Sequence, residues 1–371
     1  MKELNLRSPT NRVAEWRARG SWLAAEPYRI FFLSGALWSA VGAALWLVYY
    51  AGVLGFYPGL VHARVMIEGF GGGFVVGFIG TAGPRMISAP RHAVPEVAWL
   101  WGWHEASALF QLFQHPEVGD LCFAILLGSL LMALGVRWIA FRQEPAPPAL
   151  ILVMTGLVCG TVGAWIGWAS FREELDSRWV MLGRLLLYQG LLLPPVLGVG
   201  TFLFPRILGG RFPDSTDAEG SGPRWVRAWA CAAGLLLSFV LESRGDVAVG
   251  RGLRCGVAVL YLGLEVPWRR APNSPPWGSW MTGLWMALGL GGLGLTLSAT
   301  GHPQHVSIEH LLYIGGFGLL MLAVGSRVIL GHSGGLERFH ARSRRVRILI
   351  GLAVLAATTR AVVAWVPSIL V

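Results

Sequence analysis

The first long apolar run of the chain, residues 30–54, reads IFFLSGALWSAVGAALWLVYYAGVL and contains no charged side chain. About 20 apolar residues are enough for a helix to cross a bilayer, so this run of about 25 residues predicts a membrane span. It is also too long for the apolar core of a cleaved signal peptide, which has about 7–15 residues. Ten further runs pass the same test.

The predicted spans are residues 30–54, 64–83, 96–113, 118–141, 148–169, 179–204, 224–241, 246–266, 279–300, 305–330 and 346–370. Short segments rich in proline or in charged residues separate them. The predicted fold class is therefore all-α, a polytopic transmembrane helical bundle of about eleven spans.

The composition excludes a soluble globular enzyme. Only 13% of the 371 residues are charged and 54% are hydrophobic, whereas soluble domains carry about a quarter of their residues as charged side chains. The 50 glycines and 18 tryptophans fit transmembrane helices and the membrane–water boundary, respectively.

The basic residues set the predicted orientation. The formal net charge is +10, but lysine and arginine are spread over the segments between the spans, which argues against nucleic-acid binding. With a cytoplasmic N-terminus, the inner segments hold most of them, as the positive-inside rule requires. A few fall on the predicted outer side, among them Arg64, Arg251 and Arg254. The sequence thus predicts a cytoplasmic segment, residues 1–29, and a single transmembrane domain, residues 30–371, ending outside.

Spans two, six and ten carry a similar pattern. An arginine marks the inner end of each, at intervals of 121 residues: Arg85, Arg206 and Arg327. A polar residue precedes each arginine by 17 positions: Glu68, Gln189 and His310. The pattern predicts a four-helix unit repeated three times, with the last unit lacking one helix. The alternative is that arginine only marks inner helix ends.

Such an arrangement would resemble the architecture of haem-copper oxidase catalytic subunits, whose haem-ligating histidines lie on the second and tenth helices. A likeness of architecture alone does not assign a function.

Four residues at the outer ends of spans two and ten are predicted to bind a cofactor: His62, Met66, His305 and His310. Neutral imidazole is a common metal ligand, and ionisable residues inside spans are usually functional. Measured up from the arginine layer, His62 and His305 lie at similar heights, as do Met66 and His310. Both pairs remain open as axial ligand pairs, and a His62–His310 pair would require helix tilt. Glu309, four residues after His305, could orient the His305 ring.

His332 is a further candidate metal ligand, so the predicted metal ligands are His62, His310 and His332. It lies at the inner end of span ten, within the sequence LGHSGG of residues 330–335. The same sequence suits a helix C-terminus, where a histidine interacts with the helix dipole and glycine ends the helix. The residue type and spacing favour neither reading.

Two regions resemble the NnrS family. Residues 62–70, HARVMIEGF, and residues 77–84, GFIGTAGP, resemble its second helix. Residues 310–318, HLLYIGGFG, followed by Arg327 and residues 330–334, LGHSG, also resemble that family. Its members are haem- and copper-associated bacterial inner-membrane proteins linked to the nitric oxide response, usually with twelve spans. The resemblance therefore implies the inner membrane, a haem cofactor and a role in nitrosative stress or denitrification.

The chain departs from the family at one ligand motif. The family motif reads Trp-His-x-His-Glu-Met, and residues 61–66 here read VHARVM. His62 and Met66 are kept, but Arg64 and Val65 replace the second histidine and the glutamate. The loss of a ligand position argues against copper.

The favoured function is a haem-binding membrane protein of the NnrS type, with nitric oxide or a respiratory membrane protein as partners implied by the resemblance. The alternative is a transporter or channel in which buried groups such as Glu68, His104 and Glu105 line a proton or solute path. A terminal oxidase or nitric oxide reductase is disfavoured, because span six carries Tyr188 and Gln189 but no histidine. No catalytic residue is assigned.

Overall fold

The computed structural model describes residues 20–208, 221–268 and 277–366. These residues form helices and no strands, which confirms the all-α prediction. The long helices are α1 Tyr28–Tyr50, α2 Gly59–Met86, α3 Val94–Leu112, α4 Pro116–Val136, α5 Leu150–Ser170, α6 Ser177–Leu208, α7 Ser221–Ser243, α8 Val247–Glu265, α9 Ser279–Ser298, α10 His305–His332 and α11 Arg344–Val362. Each of the predicted spans therefore corresponds to one of these helices.

In the described part of the chain, ten helices are long and apolar enough to cross a membrane. The helix outside that group is α3, which has 19 residues. Its polar side chains, Glu96, His104, Glu105 and Gln111, lower its mean hydropathy, and the last three face neighbouring helices. The chain is a multi-pass membrane protein. The count of eleven spans stays a prediction, because α3 is less apolar than the other ten helices.

The chain divides into two compact units. The first unit includes the residues up to Pro147 together with Gly167–Glu173, and the second includes Pro148–Ile166 and the chain from Glu174 onward. The predicted cytoplasmic segment, residues 1–29, lies mostly outside the described residues, and its location stays a prediction.

In the first unit, α1 packs closely on α2 because α2 presents glycines at the contact. A Cβ atom at Gly69 would lie 2.9 Å from Trp38 Cβ, and one at Gly77 would lie 2.8 Å from Phe31 Cβ. Small residues let helix backbones approach in this way in membranes. The close contact places the middle of α2 beside the polar side chains of α1 and α3.

In the second unit, α9 and α10 approach through glycines as well. A Cβ atom at Gly316 would lie 3.0 Å from the Cα atom of Gly291, and one at Gly294 would lie 2.7 Å from the backbone nitrogen of Leu312. The contact holds the N-terminal half of α10, which carries His305 and His310, against α9.

Among the described residues, π-helical stretches occur at four places. One of them, Arg137–Phe141, follows the end of α4. The other three include or adjoin the polar residues of the predicted repeat, Glu68, Gln189 and His310: Val65–Gly71 in α2, Leu186–Gly190 in α6 and Leu311–Gly318 in α10. Short π-helical stretches are rare and occur frequently at functional sites. Their recurrence supports the predicted repeat, which stays a prediction.

Candidate functional site

His62 lies within α2, where its ring is oriented by the neighbouring helix. The helix begins at Gly59, after Pro58, so His62 is part of the span and not of the preceding loop. Its Nδ1 atom is 2.9 Å from the carbonyl oxygen of Gly42 on α1. A carbonyl oxygen can only accept a hydrogen bond, so Nδ1 carries the proton. In the neutral ring, Nε2 then has the lone pair that can bind a metal.

His310 and His332 on α10 have the same arrangement. The Nδ1 atom of His310 is 2.7 Å from the carbonyl oxygen of Val306. That of His332 is 2.9 Å from the carbonyl oxygen of Val328. In each case the ring bonds to the backbone four residues earlier and carries its proton on Nδ1. All three predicted metal ligands therefore share one tautomer.

His332 also has the features of a helix end. It is the last residue of α10, and its side chain is exposed. Gly334, two residues later, has a φ of 71°, the left-handed conformation that glycine adopts easily. The reading as a helix C-terminus is therefore supported by the backbone, and the ligand reading by the tautomer.

Met66 and His305 are the other two predicted ligands. Met66 lies in the π-helical stretch of α2, and a Cβ atom at Gly42 would be 2.8 Å from its Sδ atom. His305 is half-buried at the start of α10. Glu309, predicted to orient the His305 ring, has its carboxylate 3.6 Å from the guanidinium of Arg251. Its charge is thus compensated by an arginine on α8.

Each unit holds part of the predicted ligand set. His62 and Met66 share α2 in the first unit, and His305, His310 and His332 share α10 in the second. Both helices contain a π-helical stretch, whose wider turns change the rise and the facing direction of the residues beyond it. Heights and azimuths calculated for an ideal α-helix are therefore not reliable guides along these helices. The ligand pairs stay predictions.

The donor set does not fit copper. Among the described residues, no three His, Cys, Asp or Glu side chains are placed so that they could hold one metal ion. Arg64, at the position of the family's second histidine, instead binds a carboxylate. A haem iron needs only one or two axial donors from the protein, and the tautomers of His62 and His310 fit that role.

A buried polar cluster, here called the first cluster, joins α2, α3 and α4. It consists of Arg64, Glu68, Ser107, Gln111 and Asp120, all at most 7% exposed. The guanidinium of Arg64 is 2.8 Å from Asp120 Oδ2 and 3.8 Å from Glu68 Oε1. Ser107 Oγ donates to Glu68 Oε2 at 2.8 Å, and the amide of Gln111 donates to both carboxylates.

A second cluster joins α6, α7 and α8 in the other unit. It consists of Gln189, Ser238, Glu242, Arg251 and Arg254. The Glu242 carboxylate accepts hydrogen bonds from Arg251 Nε at 2.7 Å and from Arg254 Nη2 at 2.5 Å. Arg254 also donates to Gln189 Oε1 at 2.6 Å and to Ser238 Oγ at 3.2 Å. Gln189, predicted as the repeat counterpart of Glu68, is therefore part of a polar cluster as Glu68 is.

These clusters add partners that the sequence interpretation did not foresee. Arg64, Arg251 and Arg254 were counted among the basic residues of the outer side, and that placement stays a prediction. They are buried inside helices and are paired with carboxylates. Asp120 was not singled out at all, although a carboxylate inside an apolar span is a signal for a buried charge pair.

The residues of the alternative proton path contact different partners. Glu68 faces Ser107 and Gln111 in the first cluster. His104 is fully buried, with Nε2 2.8 Å from the carbonyl oxygen of Gly69 and Nδ1 3.1 Å from Glu105 Oε1. His104 and Glu105 therefore form a contact pair of their own.

His92, between α2 and α3, is a buried histidine outside the spans. Burial, together with the positive charge of Arg137, lowers its pKa to about 4, although Glu96 acts in the opposite direction. The ring is only 5% exposed and is neutral near pH 7. It serves the packing of the loop rather than the predicted ligand set.

The chain was compared with protein families, with curated proteins and with solved structures. No curated protein and no solved structure matches the chain. The sequence pattern of the family described as NnrS protein matches residues 22–371, which extends from before α1 to beyond α11. Because this match covers nearly the whole chain, the protein belongs to the NnrS family.

Proposed function

We propose that the chain is a haem-binding protein of the bacterial inner membrane that takes part in the response to nitric oxide or in denitrification. Each unit is considered by itself: the proposed haem ligand of the first is His62, with Met66 as the alternative, and that of the second is His310, with His305 as the alternative. The proposal rests on the family and on the state of these imidazoles.

One observation carries the proposal. In His62 and His310 the Nδ1 atom is bound to a backbone carbonyl oxygen, at 2.9 Å and 2.7 Å. Metal-bound histidines commonly have this arrangement, because the hydrogen bond at one ring nitrogen fixes the tautomer and makes the other a better ligand.

The surroundings of His62 suit a large flat cofactor. Its ring lies 5.7 Å from the ring of Trp46, and Tyr57 packs against Trp46 at 5.5 Å between centroids. Aromatic side chains are also enriched at membrane boundaries for their own sake. Their position beside His62 adds an apolar surface on which a porphyrin edge can pack.

A bound haem would supply reversible ligand binding or electron transfer at its iron. The protein's part is to hold the imidazoles in the metal-binding tautomer and, at His62, to shield the ring with aromatic side chains. Copper is not proposed, because the described residues do not bring together enough donors.

The test compares four purified proteins expressed with ample haem: wild type, His62→Ala, His310→Ala and the control His115→Ala. His115 is exposed, with 60% of its side chain accessible. We expect a Soret band and bound iron in the wild type and in the control, and a shifted or lost band in the other two. A wild type without any Soret absorbance would refute the proposal.

The alternative function, transport of protons or solutes, is supported by the charged groups buried in the bundle. These groups, however, make charge pairs and hydrogen bonds with each other in both units. Flux measurements in liposomes separate the two functions. Transport without a bound cofactor would favour the alternative.

A further inference from the structure

His104 on α3 has both ring nitrogens directed at oxygen atoms. Nε2 is 2.8 Å from the carbonyl oxygen of Gly69, and this oxygen can only accept, so Nε2 carries a proton. Nδ1 is 3.1 Å from Glu105 Oε1 and 3.3 Å from Ser34 Oγ. The ring is fully buried.

The hydroxyl of Ser34 does not supply a proton to Nδ1. Ser34 Oγ donates its single hydrogen to Glu105 Oε1. Two lone pairs, on Nδ1 and on Oε1, would otherwise face each other at 3.1 Å in a dry interior. A proton between these two atoms removes that repulsion and completes the hydrogen bond.

The partners of Glu105 decide where this proton resides. Its carboxylate accepts from Ser34 Oγ and from Trp38 Nε1, the latter at 3.1 Å. These two donors, which do not depend on the state of His104, stabilise the charged carboxylate. The proton therefore belongs to His104, which is an imidazolium paired with Glu105.

We propose that His104 and Glu105 form a proton-binding site inside the first unit, separate from the proposed haem ligands. The ligand of this site is a single proton, held on His104 Nδ1 against the carboxylate of Glu105. Glu105 has 25% of its side chain accessible, whereas the His104 side chain has none.

The other helices around His104 leave this charge assignment unchanged. From α1 the ring meets Ser34 and the edge of Phe31, whose centroid is 5.6 Å away. From α2 it meets the carbonyl of Gly69, and a Cβ atom at Gly73 would lie 3.1 Å from Nε2, so glycine provides the space for the ring.

Other buried charged side chains of this unit belong to the first cluster. They lie on α2 and α4, and they pair with one another and with Ser107 and Gln111 of α3: Arg64, Glu68 and Asp120. Among the residues that the structure describes, Glu105 is thus the charged partner bonded to the imidazole of His104.

The experiment uses the full chain in detergent, labelled with nitrogen-15 at histidine, and records the ring nitrogens by NMR at neutral pH. We expect one buried histidine with both nitrogens protonated, and we expect this signal to disappear in His104→Gln. In Glu105→Gln the Nδ1 proton should be lost, because the counter-charge is gone, while Nε2 stays protonated.

The matched control is Glu96→Gln on the same helix. Its carboxylate pairs with Arg137 at 2.7 Å and accepts a hydrogen bond from the backbone amide of Ala93, so its loss should leave the His104 signals unchanged. If His104→Gln does not fold, Ser34→Ala identifies the signal, because it shifts the ring that Ser34 contacts. A wild-type His104 with an unprotonated Nδ1, or an imidazolium that persists in Glu105→Gln, would overturn the proposal.

Discussion

Gln111 and Glu242 occupy equivalent positions in two helix–turn–helix connections, here called corners: α3–α4 in the first unit and α7–α8 in the second. Gln111 at the end of α3 donates to Asp120 on α4 at 2.9 Å, and Glu242 at the end of α7 accepts from Arg251 on α8 at 2.7 Å. Both partners are nine residues further along the chain. A buried serine precedes each by four residues, Ser107 in one unit and Ser238 in the other.

The backbones of the two corners agree in detail. Gln114 and Gly245 both have positive φ, 62° and 104°. The amide of each bonds to the carbonyl three residues earlier, that of Gln111 or of Glu242. The agreement supports a repeated helix pair and, with it, the predicted repeat. The side chains that meet at the two corners differ. At the first, the amide of Gln111 contacts the carboxylate of Asp120, and at the second, the carboxylate of Glu242 contacts the guanidinium of Arg251.

The first prediction concerns the charge balance of the second cluster. Glu242→Gln would leave Arg251 and Arg254 without their shared carboxylate in a buried site. We expect a loss of about 3–5 kcal/mol in the free energy of unfolding, the usual cost of breaking a buried ion pair. Unfolding by heat or denaturant in detergent measures it. Glu173→Gln, on the exposed loop after α5, is the control, and equal stability of the two variants would contradict the account.

The second prediction concerns Gly167 of α5, which makes room for the first cluster. A Cβ atom there would overlap Asp120 Oδ2 and would lie 3.1 Å from Arg64 Nη2. Gly167→Ala should therefore destabilise the chain by about 1–3 kcal/mol, as overpacking does. At Gly102 of α3 no atom lies within 4 Å of the added Cβ. Gly102→Ala should leave the stability unchanged or raise it by up to about 1 kcal/mol, because alanine favours helix.

Thermal unfolding of these two alanine variants tests how closely α5 packs against the first cluster. If Gly167→Ala were as stable as Gly102→Ala, the close contact of α5 with Asp120 would be wrong.

The third prediction concerns pH. The pKa of His92 is about 4 in the folded chain, against about 6.5 for an exposed histidine. As the pH falls below about 6.5, the unfolded chain takes up a proton that the folded chain does not, so stability decreases. By pH 4 the loss attributable to His92 reaches about 3 kcal/mol. His92→Leu should remove this part of the pH dependence.

The measurement for His92 is the unfolding midpoint between about pH 7 and pH 4 in wild type and in the variant. His115→Leu serves as the control, because His115 is exposed. Parallel pH profiles for wild type and His92→Leu would show that the ring is not buried in its neutral form.

The helices could be predicted because apolar length alone determines them. The predicted span 246–266, for example, agrees with α8, Val247–Glu265. The start of α2 was missed by five residues, because His62 and Arg64 interrupt the apolar run that precedes Val65. Proline at position 58, just before the helix, was the available signal.

The buried clusters could not be predicted in the same way. Arg254 is 1% exposed only because Glu242 lies on the preceding helix and Gln189 on α6. A hydropathy pattern treats each residue separately and contains no information on such partners. The π-helical stretches were not predicted either, because apolar length does not distinguish them from α-helix.

The most direct test of the central claim is the coordination of a bound haem iron. With nitrogen-15 histidine in the ferric protein, pulsed electron paramagnetic resonance detects nitrogens that are bonded to the iron. The account predicts hyperfine coupling to a histidine Nε2 in the wild type that disappears in His62→Ala or in His310→Ala. A haem whose coupling is unchanged in both variants and in the double variant would contradict it.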